Sequence, residues 1–200
     1  MIRLLLKRGT DIAFSSVILV LLSPVLATIA LAVWLDSGSP VWFRQERVGL
    51  RFRLFHILKF RTMRASSGGP PVTVGGDARI TRVGQYLRLT KLDEVPQFWN
   101  VLRGDMSLVG PRPEVPEYVE LFNERYRRVL TVRPGITDLA SIHFRNEEEI
   151  LSRSADPLRE YAEHLLPAKL DLAEQYVLRH SLMGDLMIIL RTAAVTLRGR

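Results

Sequence analysis

Thr90-Lys91-Leu92-Asp93-Glu94-Val95-Pro96-Gln97-Phe98-Trp99-Asn100 sets two adjacent carboxylates just ahead of a proline. After Pro96 the apolar residues Phe98, Trp99 and Leu102 recur at helical spacing, and Gly104 closes the run. Proline is tolerated only in the first turn of a helix. The spacing therefore predicts a helix that begins near residues 93–96 and ends near Gly104. Asp93 and Glu94 then stand at a helix N-terminus, where free backbone N–H groups and the macrodipole favour negative charge, phosphate included. Two readings are open at this point. Asp93 is a helix cap with Glu94 in the first turn, or the pair carries chemistry.

Working outward, the neighbouring stretches supply cations. Asp77-Ala78-Arg79-Ile80-Thr81-Arg82-Val83-Gly84 leads into a helical pattern through Leu87 and Leu89, with Arg79, Arg82 and Arg88 as candidate phosphate ligands or plain surface charges. On the other side, Gly110-Pro111-Arg112-Pro113 holds Arg112 between two prolines. Proline fixes φ and restricts the residue before it, so this backbone is stiff. A pre-positioned guanidinium suits bidentate phosphate binding. Residues 41–63 alternate aromatic, basic and apolar side chains, which predicts a β-hairpin turned at Gly49 with a solvated basic face. Lys59 and Arg61 are the residues there that stand out as phosphate ligands.

The 200 residues suit one domain with a sizeable core. Cysteine is absent, which removes disulfides, thiolate metal sites and a thiol nucleophile. The net charge of +7 is unevenly spread: residues 1–64 hold 10 Lys/Arg against 3 Asp/Glu, and the remainder holds 18 of each. The basic excess lies beside the most apolar segment, which points to an anionic membrane surface rather than nucleic acid. Residues 12–35 carry no charge. As a straight helix they would be roughly 36 Å long, enough to cross a bilayer. No small-x-small cleavage signal precedes the charged segment, so the run is expected to be retained. Basic residues flank it on both sides, and basic flanks mark the cytoplasmic face. Ser23-Pro24 sits at its middle. Proline frees a carbonyl and a serine hydroxyl can satisfy it. A re-entrant helix that bends at Ser23-Pro24 and returns to the same face accounts for both facts better than a straight span.

Downstream, residues 65–76 are rich in Ser, Gly and Pro and read as a loop. Residues 118–130 read as a charged helix, and Arg133-Pro134-Gly135-Ile136-Thr137 as a turn. Arg145-Asn146-Glu147-Glu148-Glu149-Ile150 opens another helix. Asp156-Pro157 is a helix start with Asp156 as cap, and Pro167 breaks or restarts that helix. Residues 181–197 are apolar but too short and interrupted to span. They form either a buried helix or one lying on the membrane interface, and offer a contact for a homodimer. His143 and His164 lack metal-ligand spacing, and no Gly-rich nucleotide motif is present. Taken together, an acidic pair, several arginines and a membrane anchor suggest phosphate chemistry at a bilayer surface. A carboxylate can attack phosphorus, a neighbour can hold Mg²⁺, and arginines can stabilise the charge.

The run Lys91-Leu92-Asp93-Glu94-Val95-Pro96-Gln97-Phe98-Trp99-Asn100-Val101-Leu102-Arg103-Gly104-Asp105-Met106-Ser107-Leu108-Val109-Gly110-Pro111-Arg112-Pro113-Glu114 closely resembles the signature of the bacterial sugar transferases, the monotopic polyprenol-phosphate phosphoglycosyl transferases. Lys59-Phe60-Arg61-Thr62-Met63, residues 77–84, residues 133–137 and Ser23-Pro24 match the same family in order. The length resembles that of the minimal catalytic unit. The resemblance implies an α+β, mostly helical architecture. It comprises a re-entrant membrane helix over residues 1–36, and a compact, membrane-associated cytosolic catalytic domain over residues 37–200 with a small β-hairpin and interfacial amphipathic helices.

It also implies a two-step reaction at the cytoplasmic face of the bacterial inner membrane. Asp93 would attack the sugar-linked phosphate of a UDP-sugar and release UMP. The phospho-sugar would then pass to undecaprenyl phosphate, starting a glycan. Glu94, with Asp93 beside it, would bind Mg²⁺. Lys59, Arg88, Arg112 and Arg145 match basic positions expected to contact phosphates. One stretch departs from the family pattern: Asp138-Leu139-Ala140-Ser141-Ile142-His143-Phe144 replaces a glycine, an aromatic and a Gln-Val pair, in a region expected to face the sugar or nucleotide. Two rival functions are an ordinary glycosyltransferase that releases UDP, and a non-catalytic scaffold that binds anionic lipid.

Overall fold

The computed structural model describes residues 2–64 and 77–197. The loop expected at residues 65–76 lies outside them. Helix α1 (Ile2–Ser37) holds Pro24 in its interior without ending there. The carbonyl that Pro24 frees is that of Val20, and the Ser23 hydroxyl donates to it at 2.8 Å. The Thr28 hydroxyl in turn donates to the Pro24 carbonyl at 2.9 Å. The Ser23 hydroxyl thus replaces the missing amide, and the helix continues on both sides. α1 is long and apolar enough to cross a membrane, and most of its side chains are exposed, including Val17, Val20, Leu21 and Val25.

Both ends of α1 are tied to the same body. Near the start, Arg8 donates to the carbonyls of Val101 (2.6 Å) and Leu102 (3.0 Å), and Lys7 pairs with Asp185 at 2.6 Å. Near the end, Ile29 and Val33 are buried with Phe60 and Leu87, and Arg61 donates to the carbonyls of Ser37 and Gly38.

Strands β1 (Trp42–Val48) and β2 (Leu54–Phe60) form the expected antiparallel hairpin, with Trp42 opposite Phe60 and Val48 opposite Leu54. Gly49 opens the turn, while the left-handed backbone falls on Arg51 and Phe52. Helix α2 (Arg82–Thr90) starts at Thr81, whose hydroxyl accepts from the Gly84 amide at 2.9 Å. Gly84 lies against the Thr62 backbone, where a Cβ would come within 2.2 Å of the Thr62 carbonyl oxygen. Helix α3 (Gln97–Arg103) ends at Gly104 in the left-handed conformation, as its sequence predicts.

Two expectations change. Residues 133–137 are not merely a turn: β4 (Gly135–Thr137) pairs in parallel with β3 (Ser107–Val109). Gly110 and Gly135 allow that approach, since a Cβ on Gly135 would meet the Gly110 amide nitrogen at 2.1 Å. The single helix expected over residues 118–130 is two, α4 (Pro116–Leu121) and α5 (Asn123–Val129), because Phe122 leaves helical geometry. Pro167 restarts the helix as expected: a wider turn at Tyr161–Leu165 follows α8 (Pro157–Glu160), and α9 (Leu166–Arg179) opens with Pro167 in its first turn, where a proline is tolerated. Asp156 caps α8 as expected, accepting from the Arg159 amide. Helices α6 (Leu139–His143), α7 (Glu147–Ser152) and α10 (Leu182–Leu197) complete the chain. The largest core cluster lies beneath α4, α5 and α9 (Val119, Tyr126, Val129, Leu166, Leu170). α10 buries Ile188 and Asp185 and exposes Met183, Leu186, Met187 and Leu190. The described chain is mostly helical, with two small two-stranded sheets.

Candidate active site

Four pieces of chain meet around the acidic pair. α2 ends at Lys91, which takes a left-handed conformation (φ 59°) that its side chain makes costly. That corner starts a tight turn, Leu92–Glu94, which runs into α3 through Val95 and Pro96. Asp93 does not cap the helix: its side chain makes no capping bond, and the cap positions fall to Lys91 and Pro96. It is 7% exposed, and its Oδ1 is enclosed with no hydrogen-bond partner.

Its neighbour is placed oppositely. Glu94 Oε1 accepts from Lys59 Nζ at 2.7 Å and from Arg112 Nη2 at 3.0 Å. Lys59 comes from β2 and Arg112 from the turn after β3, so the three charges converge from well-separated stretches. Burial alone would push the Glu94 carboxyl up, but Lys59 and Arg112 outweigh it and hold the group well below the usual range. Asp93 moves the other way. Burial and the adjacent Glu94 charge raise it to about 6, against the opposing pull of Lys59, Lys91 and Arg88. The Glu94 charge holds the Arg112 guanidinium firmly protonated. Burial, aided by Arg112, lowers Lys59 despite the two carboxylates.

Of the expected phosphate ligands, Lys59 and Arg112 reach the pair directly. Arg88 stands at the end of α2 with its charge acting on Asp93. Its Nη2 is 3.6 Å from Glu148, and its Nη1 is enclosed without a partner. Arg145 lies on an exposed loop and, among the described residues, makes no bond to the pair. It lines an open cavity of about 320 Å³ with His143, Phe144 and Asn146.

Among the described residues no group of three or more His, Cys, Asp or Glu side chains could hold a metal. Lys59 and Arg112 both bond Glu94 Oε1, so its other carboxylate oxygen, with Asp93 beside it, fits a Mg²⁺ held by one or two carboxylates and completed by phosphate and water, not an all-protein cage.

A family model described as bacterial sugar transferase matches residues 2–199. The chain belongs to the bacterial sugar transferase family. Among its relatives in the family, the UDP-glucose:undecaprenyl-phosphate glucose-1-phosphate transferase of Escherichia coli (strain K12) is 45% identical over 159 residues, 74% of this chain and 33% of that protein. The protein of the same name from Caulobacter vibrioides is 40% identical over 191 residues, 93% of this chain and 67% of its own length. The UDP-N-acetylgalactosamine-undecaprenyl-phosphate N-acetylgalactosaminephosphotransferase of Aeromonas hydrophila is 38% identical over 201 residues, 97% and 44% respectively. The chain thus spans between a third and two thirds of these three relatives.

Two supporting residues escape sequence reading. Asn100 is buried and pins α3 to β2, accepting from the Leu58 amide at 3.0 Å and donating to the His56 carbonyl at 2.8 Å. That sets Lys59 over Glu94. Asp138, in the stretch that departs from the family pattern, accepts from the Arg112 amide at 3.1 Å while capping α6 through Ser141. It is 5% exposed and clamps the arginine's backbone from behind. The signal for Asp138 was its place ahead of a short helix; Asn100 had none, since its partners lie over 40 residues away.

Proposed function

We propose that this family member moves a sugar 1-phosphate from a UDP-sugar to undecaprenyl phosphate through a covalent intermediate on Asp93. The observation that carries the reading is the contrast within the pair: Glu94 is doubly paired, whereas Asp93 is enclosed and unpaired. A carboxylate raised to about 6 is ionised at neutral pH yet more basic than an ordinary one, which suits a nucleophile. An Asp93 oxygen forms a bond to the sugar-bearing phosphorus as the P–O–P bridge breaks, and UMP leaves with the bridging oxygen. A phosphate oxygen of the lipid acceptor then attacks the same phosphorus, and Asp93 departs as carboxylate. The products are UMP and the polyprenyl diphosphate sugar, an opening membrane step of bacterial glycoconjugate assembly. Arg112, fixed by its flanking prolines and Asp138, and Lys59 hold phosphate oxygens. Arg88 stands close enough to assist, and Arg145 borders the donor from its loop. Mg²⁺, held by Glu94 and Asp93, would neutralise phosphate charge when bound.

The relatives' names, which specify UDP-sugars and undecaprenyl phosphate, support the substrate classes. The contacts of α1 support the membrane placement. Contacts at both its ends belong to one body, so a span that carried its ends to opposite faces would tear one set apart. On this reading residues 1–36 re-enter at Ser23-Pro24, and residues 37–200 stay on the cytoplasmic face of the inner membrane. Cysteines introduced as Ile2→Cys and Ser66→Cys are expected to be labelled from the cytoplasmic side alone; labelling from opposite sides would establish a straight span.

The deciding experiment is intact-protein mass after incubation with Mg²⁺ and UDP-sugars, without lipid, with the released nucleotide identified. A sugar-phosphate adduct that Asp93→Asn abolishes, together with UMP, is expected. UDP release without an adduct would establish an ordinary glycosyltransferase. Full turnover by Asp93→Asn would remove Asp93 from the mechanism.

A further inference from the structure

The path from the acidic pair into α3 encloses three polar side chains, Asp93, Gln97 and Asn100. Asn100 uses both ends of its amide on β2. Gln97 does not. It is 2% exposed, and its Nε2 is enclosed without an acceptor. Four residues before it, Asp93 Oδ1 is enclosed without a donor. Asp93 stands in the tight turn Leu92–Glu94 and Gln97 opens α3, and both side chains are buried. Buried donors and acceptors are paired as a rule, so a neighbouring donor and acceptor that both lack partners call for a shared bond.

We infer that Gln97 is the positioning residue of Asp93: its amide Nε2 donates to Oδ1, orients the carboxylate, and leaves Oδ2 facing the phosphorus. The inference rests on the reading of Asp93 as nucleophile. The surroundings explain why a neutral amide is used. Lys59 and Arg112 are committed to Glu94, so orienting Asp93 falls to a neighbouring neutral donor. Oδ1 is the enclosed oxygen, which makes it the one to be held and Oδ2 the one a substrate can approach. Asn100, one turn further, anchors the same face to the strand that carries Lys59, so nucleophile and cation share one frame.

The test is the single-turnover rate of adduct formation in the full chain, compared among wild type, Gln97→Met and Gln97→Asn. Methionine matches glutamine in length and removes the donor. The expected result is a rate constant lowered about ten- to a hundredfold at saturating UDP-sugar, the scale of a misplaced reacting group. The half-saturation concentration and the adduct amplitude should hold, and the melting temperature should fall by no more than about a few degrees, since Asp93 Oδ1 loses its donor. Gln97→Asn keeps the amide but shortens its reach, and is expected to fall between the two. A wild-type rate constant in Gln97→Met, or a deficit confined to amplitude or half-saturation, would overturn the inference. Should Gln97→Met fail to fold, a wild-type rate constant in Gln97→Asn would do the same. Absence of any Asp93-dependent adduct in the wild type would remove the nucleophile reading and this inference with it.

Discussion

Two clusters of basic and acidic side chains in this molecule are built from the same residue types. One joins α5 to α9: Arg125 reaches Asp171 at 2.6 Å and Glu174 at 3.0 Å, and Arg128 reaches Glu174 at 2.8 Å. The other surrounds Glu94. At α5–α9 every carboxylate meets an arginine, with Asp171 and Arg128 largely in solvent. Around Glu94 the cations are equally close, but they crowd onto one carboxylate and leave its neighbour enclosed and alone. Burial separates the two outcomes. Solvent relaxes a surplus charge at a surface, whereas an enclosed, unpaired carboxylate keeps its imbalance as reactivity.

The comparison can be broken most directly at Asp93. Asp93→Asn is expected to lower sugar-phosphate transfer at least about a thousandfold, the scale of removing a nucleophile, with binding to vesicles unchanged by flotation. Next come Lys59→Met and Arg112→Met, each expected to cost roughly a hundred- to a thousandfold in turnover, as for donors aimed at developing charge. If either leaves turnover intact, the Glu94 cluster is an ordinary ion-pair network like its counterpart.

Smaller effects separate the clusters by pH. Asp93 binds its proton more tightly folded than unfolded, so the folded state loses stability as pH rises from the ordinary aspartate range through about 6. Asp93→Asn should therefore melt a few degrees above wild type at about pH 7.5, and the gain should vanish near about pH 4. Glu174 has the opposite sign. Hydrogen bonds from Arg125 hold it below the usual glutamate range, so its stabilisation is present above that range and fades as pH falls through it. Glu174→Gln is expected to cost under about 1 kcal/mol at neutral pH, read by urea denaturation, and to leave transfer unchanged. Equal pH slopes for the two variants would erase the distinction.

Much of this was legible in the chain, and the reason is locality. Pro96 and Gly104 bound α3 because φ is constrained at the proline and the left-handed cap favours glycine. Ser23 could be paired with the carbonyl freed by Pro24 because the two lie within one turn. The hairpin followed from alternation about Gly49. Where local signals competed with packing, packing won. Gly135 reads as a turn residue, yet it serves the parallel pairing of β3 and β4. Asp93 reads as a cap, yet the corner at Lys91 turns its side chain inward.

The sequence by itself determined the uncharged segment of α1, the helix and strand boundaries near the acidic pair, and the identity of the residues able to do phosphate chemistry. Backbone sterics and periodicity act over a few residues, and the motif carries them intact. Only the tertiary structure decided which carboxylate is paired and which is alone, that Asp138 clamps Arg112, and that Gln97 and Asp93 each bury a polar atom without a partner. Lys59 and Glu94 are 35 residues apart. Burial and pairing are properties of surfaces that exist once distant segments meet, and no stretch of sequence contains both sides of such a contact.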